Sequence, residues 1–168
     1  MASFFPSITP EQAALIASCD LFFVASADPH LADGPEGEGP VNVSPKGGVT
    51  LYMLSPERVA YLDVNGSGNE TARHARAGGP VTVMVCSFTS EDAAIVRLYG
   101  HARAIPLEQS ALAALLERDA RGLMSAPRQV IEIDIERTMT SCGYGVPVMQ
   151  VVRERQKADR GRRYKPTP

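Results

Sequence analysis

The chain has 168 residues, of which 44% are apolar, and its formal net charge at pH 7 is -2. This length suits one domain, and the charge shows no basic excess of the kind that marks nucleic-acid binding or attachment to a membrane surface. No segment approaches the roughly 18 consecutive apolar residues that a membrane-spanning helix needs. We therefore expect one folded domain whose partners are neither nucleic acid nor membrane.

The first predicted element is a helix over "PEQAALIAS". Thr9, followed by Pro10 and Gln12, is typical of a capped helix start, because the hydroxyl and the glutamine satisfy backbone N–H groups that lack helical partners. This helix is expected to pack Leu15 and Ile16 inward.

Seven segments carry the β-branched and aromatic bias of strands, and several alternate apolar with polar residues. They are residues 21–27, 41–48, 49–55, 58–64, 81–88, 94–105 and 129–138. Two further helices are expected, one after Gly68 and one over residues 107–119. Short connections favour antiparallel pairing, because parallel neighbours need long crossovers. The pattern predicts a mainly β fold, a β-barrel of six or seven mostly antiparallel strands with peripheral helices.

The last 18 residues, 151–168, have seven basic residues against two acidic ones and little apolar content. Such a composition is typical of a solvated or frayed end. We therefore divide the chain into a folded domain over residues 1–150 and a basic C-terminal tail over 151–168.

The turn "NGSGNET" before the second helix is unusually rich in glycine and polar side chains. Ser67 stands three residues before Glu70, which predicts a capping box. A cap needs only one polar residue, so Gly66 and Gly68 favour a second role, the close approach of another group to the backbone.

A phosphate is one such group, because N–H groups at a helix start and the side chains of Ser67, Asn69 and Thr71 could bind it. The alternative is an ordinary polar turn that binds no phosphate, in which the Glu70 carboxylate already supplies the negative charge. The P-loop and the dinucleotide fingerprint do not match, since no Lys-Ser or Lys-Thr pair follows and Thr71 replaces the third glycine.

A second polar group lies in "VNVSPKGG". Asn42, Ser44 and Lys46 occupy alternate positions, so on a strand they project from one face. They could bind an anion or donate to the heteroatoms of a flat ring. An exposed edge strand with routine polar residues is the alternative.

The segment "SCGYGVPVM" places Tyr144 between two glycines, where its ring could cover a cofactor or close the end of the barrel. Cys142 has no histidine near it in sequence, so a buried small side chain is favoured over a nucleophile. His30, His74 and His101 show no metal-ligand spacing, and no metal site is predicted.

Three cysteines, including Cys19 and Cys86, lie far apart and form no C-x-x-C pair. An odd, scattered set argues against both a disulfide framework and a zinc site. The N-terminus also lacks a basic region followed by an apolar run, so no export is expected. The sequence therefore predicts a cytoplasmic protein.

The segments "VNVSPKGG", "RVAYLDVNGSGNETARHARAGGPVTVMV", "VRLYGHARAI" and "SCGYGVPVM" together resemble the pyridoxamine 5'-phosphate oxidase-like family of flavin-binding proteins. The resemblance implies a split β-barrel that forms a homodimer, with FMN held in two symmetric clefts between the subunits. It covers most of residues 41–149.

By position, the resemblance implies that FMN is contacted from the strand beside the flavin ring, the phosphate-binding turn, the cleft strand and the closing C-terminal segment. The implied residues are Asn42, Val43, Ser44, Lys46, Ser67, Gly68, Asn69, Thr71, Arg97, Cys142 and Tyr144. The best-known oxidases carry Arg and Lys after the serine of the turn, whereas this chain has Gly68 and Asn69. We therefore expect amides and hydroxyls, with less charge, around the phosphate.

The function that the resemblance implies is an FMN-dependent oxidoreductase that transfers electrons or hydride to or from a small molecule. The flavin performs the chemistry, so no side chain is assigned as catalytic. A flavin-binding or storage protein without a dedicated substrate is the second hypothesis. The same fold with a deazaflavin or haem is the third.

Overall fold

The computed structural model describes residues 2–66, 68–110, 112–115, 125–156 and 159. Within them the chain forms eight strands, two α-helices and one short 3-10 turn. The elements in chain order are β1 (Ser3–Phe5), α1 (Pro10–Ala17), β2 (Leu21–Ala27), β3 (Val41–Gly47), β4 (Tyr52–Ser55), β5 (Arg58–Val64), α2 (Glu70–Arg76), β6 (Pro80–Cys86), β7 (Ala94–Ile105), the 3-10 turn (Leu107–Gln109) and β8 (Pro127–Cys142).

The strands form one sheet in the order β3-β2-β6-β7-β8-β5-β4, and β1 pairs separately with β8. All the pairings are antiparallel. The predicted mainly β, antiparallel split barrel is confirmed. Eight strands form rather than six or seven, because the three-residue β1 adds to the far part of β8, with Phe4 opposite Met139. A strand of three residues is too short to show a period-2 pattern.

The core lies on the inner face of the curved sheet. Alternate residues of β2 point inward, so Phe22 and Val24 are buried, and Ile131 and Ile133 of β8 meet them from across the barrel. The predicted start of α1 is confirmed, because Thr9 and Gln12 form a reciprocal capping box. Ile16 is buried and Leu15 is partly buried against the same core, as expected.

A smaller apolar cluster covers the opposite face of β5. It contains Ala60, Leu62 and Val130, with Leu107 packed against them. The helix predicted over residues 107–119 begins here as the 3-10 turn, residues 113–115 are helical, and residues 111 and 116–119 lie outside the described residues.

The helix α2 is fixed against β2 by a buried histidine. His74 is fully buried, and its Nδ1 lies 3.0 Å from the hydroxyl of Ser26. The residue at the helix N-cap is Asn69, whose side chain makes no capping hydrogen bond. The helix thus begins at Glu70, two residues later than the predicted capping box requires, and Ser67, the other member of that box, lies outside the described residues. Neither described α-helix has the length and apolarity needed to cross a membrane.

Candidate functional site

A cleft of about 280 Å³ opens where β3, the end of β5, the turn after β5 and the first residues of α2 meet. We call it the inner cleft. Its walls are formed by Asn42, Ser44, Lys46, Asp63, Val64, Gly66, Gly68, Asn69, Glu70, Thr71, Ala72 and Arg128. Six of the eleven residues implied by the resemblance are in this set, and they come from two separate segments of the sequence.

The wall contributed by β3 follows the predicted alternation. Asn42, Ser44 and Lys46 are partly buried and line the inner cleft, whereas Val43 on the opposite face is 64% exposed. β3 stands at the end of the sheet order and pairs only with β2. An edge strand usually exposes its polar residues, but β3 turns its polar residues into the cleft and exposes its apolar ones.

Of the two hydroxyls at this wall, Thr71 has a hydrogen-bond partner and Ser44 has none among the described residues. Asn42 donates from Nδ2 to the Thr71 Oγ1, 3.3 Å away, which joins β3 to α2. The Ser44 Oγ is buried and has no hydrogen-bond partner among the described residues. A buried hydroxyl without a partner costs free energy unless something pairs with it, so the inner cleft suits a ligand that offers a polar atom to Ser44.

Asp63 is the centre of the charged part of the inner cleft. It is only 7% exposed, and its Oδ2 accepts from Arg128 Nη2 at 2.8 Å and from Gln129 Nε2 at 2.8 Å. The Nζ of Lys46 lies 3.7 Å from the other carboxylate oxygen. A buried carboxylate needs such partners, so Asp63 fixes two cations at the wall of the cleft.

Two of these donors also hold the turn in place. Arg128 donates from Nη1 and Nη2 to the carbonyl oxygen of Gly68, each at 3.1 Å. Gln129 donates from Nε2 to the Asn69 Oδ1 at 2.8 Å, which explains why the Asn69 side chain does not cap α2. The turn is therefore attached to β8 by side chains rather than by its own local hydrogen bonds.

The sequence interpretation missed Arg128, Gln129 and Asp63. It expected little charge around the turn, but Arg128 of β8, 60 residues after Gly68, supplies a guanidinium there. One signal was available: Asp63 is an acidic residue near the end of the apolar strand "RVAYLDV", and a carboxylate in such a strand requires a partner.

Tyr61 lies beneath the inner cleft. It is fully buried, its ring packs edge-on against Phe22 at 5.5 Å, and the Lys46 Nζ lies 5.6 Å from its ring centre. Its hydroxyl has no hydrogen-bond partner among the described residues. Burial, together with the nearby Asp63 carboxylate, raises the pKa of Tyr61, so its hydroxyl stays protonated at physiological pH.

Four of the other implied residues, Val43, Arg97, Cys142 and Tyr144, do not line the inner cleft of this chain. Arg97 donates to the hydroxyl of Ser141 at 3.3 Å, and Tyr144 is 88% exposed. The expectation that Cys142 is a buried small side chain is wrong, because it is exposed at the end of β8. The assignment of these four residues to the cofactor depends on a second subunit and stays a prediction. Ser67 lies outside the described residues.

Arg97 belongs to a row of residues that crosses the outer face of the sheet. Phe23 is opposite Met84, Met84 is opposite Arg97, Arg97 is opposite Met139, and Met139 is opposite Phe4. This row is largely apolar, although it faces away from the core, and Phe4 is 59% exposed. An apolar outer face of this kind is typical of a surface that meets another protein chain.

Comparison with known sequences gives the family. A family model described as pyridoxamine 5'-phosphate oxidase matches residues 8–142. The pyridoxamine 5'-phosphate oxidase family protein ustO of Aspergillus flavus is 38% identical over 133 residues. The match covers 78% of this chain and 50% of that protein, so the chain spans about half the length of this curated relative.

Solved structures show the same fold at low sequence identity. HupZ from Group A Streptococcus is 24% identical with a TM-score of 0.58, over 78% of this chain and 91% of that one. An FMN-binding protein from Syntrophomonas wolfei is 10% identical with a TM-score of 0.54, over 76% and 81%. On the family model and the ustO match together, the chain belongs to the pyridoxamine 5'-phosphate oxidase family.

Proposed function

We propose that the inner cleft binds FMN and that the protein is a flavin-dependent oxidoreductase acting on a small molecule. The observation that carries the proposal is the buried hydroxyl of Ser44, which has no partner among the described residues and lies beside Asn42 and Lys46 on the wall of a cleft that also includes the polar turn. Family membership supports flavin as the class of ligand. One of the structural neighbours is an FMN-binding protein, which supports the suitability of this fold for binding FMN.

The two parts of the inner cleft suit the two ends of FMN. Gly68, Asn69 and Thr71 of the turn and helix, with Arg128 behind them, offer N–H, hydroxyl and guanidinium donors to a phosphate. By resemblance, Ser67 belongs to this group. Asn42, Ser44 and Lys46 would bind the ring system and ribityl chain.

Bound FMN would supply the hydride or electron transfer, and this chain's residues would bind and orient it. Lys46 is the residue best placed to affect the charge of the ring, because Asp63 holds its ammonium group at the wall of the cleft. The Tyr61 hydroxyl beneath the cleft stays protonated and is not a base. No side chain of the described residues is required to move a proton.

The proposal includes a homodimer. The apolar row through Phe23, Met84 and Met139 lies outside the core, and β3 adds Val41 and Val43, which are 62% and 64% exposed. A second copy would cover this face and could bring Arg97, Cys142 and Tyr144 to the partner's cofactor. A cytoplasmic location is also part of the proposal, since Cys19, Cys86 and Cys142 are all free thiols, as is usual in a reducing compartment.

The first experiment is the visible absorption spectrum of the purified protein. A flavin spectrum in the protein as purified, or one that stays with the protein after added FMN has been removed by gel filtration, supports the proposal, whereas a deazaflavin band or a Soret band would replace FMN with those ligands. Stopped-flow mixing of the reduced complex with candidate acceptors then separates the enzyme from a storage protein. Rapid reoxidation by one defined acceptor supports an oxidoreductase, and indifference to every acceptor supports storage.

A further inference from the structure

The side chain of Asn69 lines the inner cleft, and only one of its two polar atoms is used within the protein. Its Oδ1 accepts from Gln129 Nε2 at 2.8 Å, and this is the one side-chain hydrogen bond that Asn69 makes among the described residues. The Nδ2 keeps two N–H groups that a ligand in the cleft can accept. What Asn69 offers to a ligand therefore depends on which way its amide is turned.

The amide of Gln129 is oriented from both of its ends. Its Oε1 accepts from Arg76 Nη2 at 3.1 Å, and a guanidinium can only donate. Its Nε2 donates to the Asp63 Oδ2 at 2.8 Å, and an ionised carboxylate can only accept. Turning this amide over would set donor against donor at Arg76 and acceptor against acceptor at Asp63. The hydrogen-bond network therefore allows Gln129 a single orientation.

The orientation of Gln129 in turn fixes the amide of Asn69. The Nε2 of Gln129 has two N–H groups, and it uses one on Asp63 and the other on Asn69. Asn69 must meet this donor with its acceptor, Oδ1, so that its own donor, Nδ2, is left over. Gln129 is 6% exposed and does not line the inner cleft, so the protein interior holds it in place. We call Arg76, Gln129 and Asn69 the amide relay.

The direction of the Asn69 amide matters most for a phosphate. A phosphate monoester above its second pKa of about 6 offers acceptors and no donor. An N–H group that faces it forms a charge-assisted hydrogen bond, whereas a carbonyl oxygen in the same place would repel it. The buried Ser44 Oγ, which has no partner among the described residues, is an independent sign that this cleft suits a polar ligand.

We propose that Gln129 is a positioning residue for the ligand phosphate. Through the amide relay it keeps the Nδ2 of Asn69 free to donate in the inner cleft, and this donor contributes to a preference for FMN over riboflavin. The donating group is a side-chain amide rather than the backbone end of α2. The inference rests on the proposed function, because it needs a flavin in the inner cleft. It adds Gln129 and Arg76 to the site as residues that touch no ligand themselves.

The test compares the affinities of FMN and riboflavin for the full chain at pH 8, by quenching of flavin fluorescence. Gln129→Met nearly keeps the length of the side chain and its neutral charge but can no longer orient Asn69. Loss of one hydrogen bond to a charged group weakens binding about tenfold. We expect that loss for FMN and less than a twofold change for riboflavin. Gln12→Met is the matched control, because Gln12 is also buried and hydrogen-bonded, to Thr140, but does not line the cleft.

A double-variant cycle separates positioning from a general effect on the shape of the cleft. Asn69→Ala should lower the affinity for FMN about tenfold, and adding Gln129→Met should lower it no further, because Gln129 acts through Asn69. Losses that add in the double variant, or equal weakening of FMN and riboflavin in Gln129→Met, would overturn the inference.

Nuclear magnetic resonance of the unmodified protein keeps the inference testable if Gln129→Met does not fold. FMN should shift the signals of the Asn69 side-chain N–H groups, and riboflavin should leave them in place. Signals that FMN does not move would overturn the inference.

The unmodified protein separates the two proposals. If it binds neither flavin, the proposed function fails and the inference fails with it. If it binds both flavins equally, the inference is overturned and flavin binding stands. If it prefers FMN and Gln129→Met keeps the full preference, the inference alone is overturned.

Discussion

Arg128 holds the Gly68 carbonyl oxygen from two nitrogens, Nη1 and Nη2, each 3.1 Å away. The same guanidinium donates to the buried Asp63 carboxylate. One side chain from β8 therefore fixes both the turn and the acid at the floor of the inner cleft. The shape of the site depends on this arginine more than on the turn's own sequence.

The first prediction concerns this ion pair. Arg128→Met should lower the free energy of unfolding by about 3–5 kcal/mol, because it leaves Asp63 buried with less compensation. Asp63→Asn in the same chain should restore part of the loss, since the amide carries no charge. Urea denaturation of Arg128→Met, Asp63→Asn and the double variant measures the coupling between the two residues. Additive losses in the double variant would show that the pair is not coupled.

The second prediction concerns Glu70, which lines the inner cleft. A methyl group at Gly68 would collide with the Glu70 carboxylate, so this side chain folds back over the turn where a phosphate would bind. Removing the charge in Glu70→Gln should strengthen FMN binding roughly fivefold, because two like charges about 4 Å apart in water repel by about 1 kcal/mol. Glu91→Gln, in the exposed loop after β6, is the control. Weaker binding in Glu70→Gln would mean that Glu70 helps to hold the ligand.

The third prediction concerns pH. The guanidinium of Arg73 can only donate, so the His74 Nε2 accepts its hydrogen bond and the Nδ1–H donates to Ser26. Burial and the adjacent Arg73 lower the pKa of His74 below its ordinary value of 6.5, although Asp28 and Glu70 oppose the shift. Below pH 6.5 the unfolded chain therefore takes up a proton that the folded chain resists, and stability falls as the pH decreases.

His74→Gln tests this explanation by removing the titrating group. The variant should be less stable at pH 8, yet its stability should depend less on pH between 7 and the depressed pKa of His74. Urea midpoints across that range give the comparison. A variant with the same pH slope as the unmodified protein would assign the dependence to another group.

The fourth prediction concerns Tyr61. Its hydroxyl is buried without a partner among the described residues, and an unsatisfied hydroxyl costs about 1–3 kcal/mol. Tyr61→Phe keeps the ring against Phe22 and should leave the ligand-free protein equally or more stable by thermal unfolding. A clear loss of stability would show that the hydroxyl is paired in solution. Phe22→Leu, which removes the ring contact instead, should be destabilising.

The fifth prediction concerns the outer face. Val43→Lys places a charge on the outer face that forms the proposed subunit interface, opposite Ala25, and should shift the protein toward monomer in sedimentation velocity. Met53→Lys, at a 46% exposed site on β4, should leave the mass unchanged. A monomer already present in the unmodified protein would contradict the homodimer.

Local patterns predicted much of this fold because its strands alternate cleanly. The alternation in "VNVSPKGG" placed Asn42, Ser44 and Lys46 on one face, and the structure shows them there. The Asp63 and Arg128 pair could not be predicted in the same way. These residues are 65 positions apart, and only the pairing of β5 with β8, which puts Asp63 opposite Gln129, brings them together. The helix start was predicted two residues too early: α2 begins at Glu70, and the side chain of its N-cap residue, Asn69, accepts from Gln129 instead of from the helix N–H groups.

The central claim, that the inner cleft holds the phosphate end of FMN, is tested most directly by titrating ligand-free protein with FMN and with riboflavin, which lacks the phosphate. The account predicts that FMN binds at least about tenfold more tightly, since charge-assisted hydrogen bonds to a phosphate are worth about 1.5–3 kcal/mol each. It also predicts that Thr71→Ala reduces this preference without unfolding the protein. Equal affinities for the two compounds, or no binding of either, would contradict it.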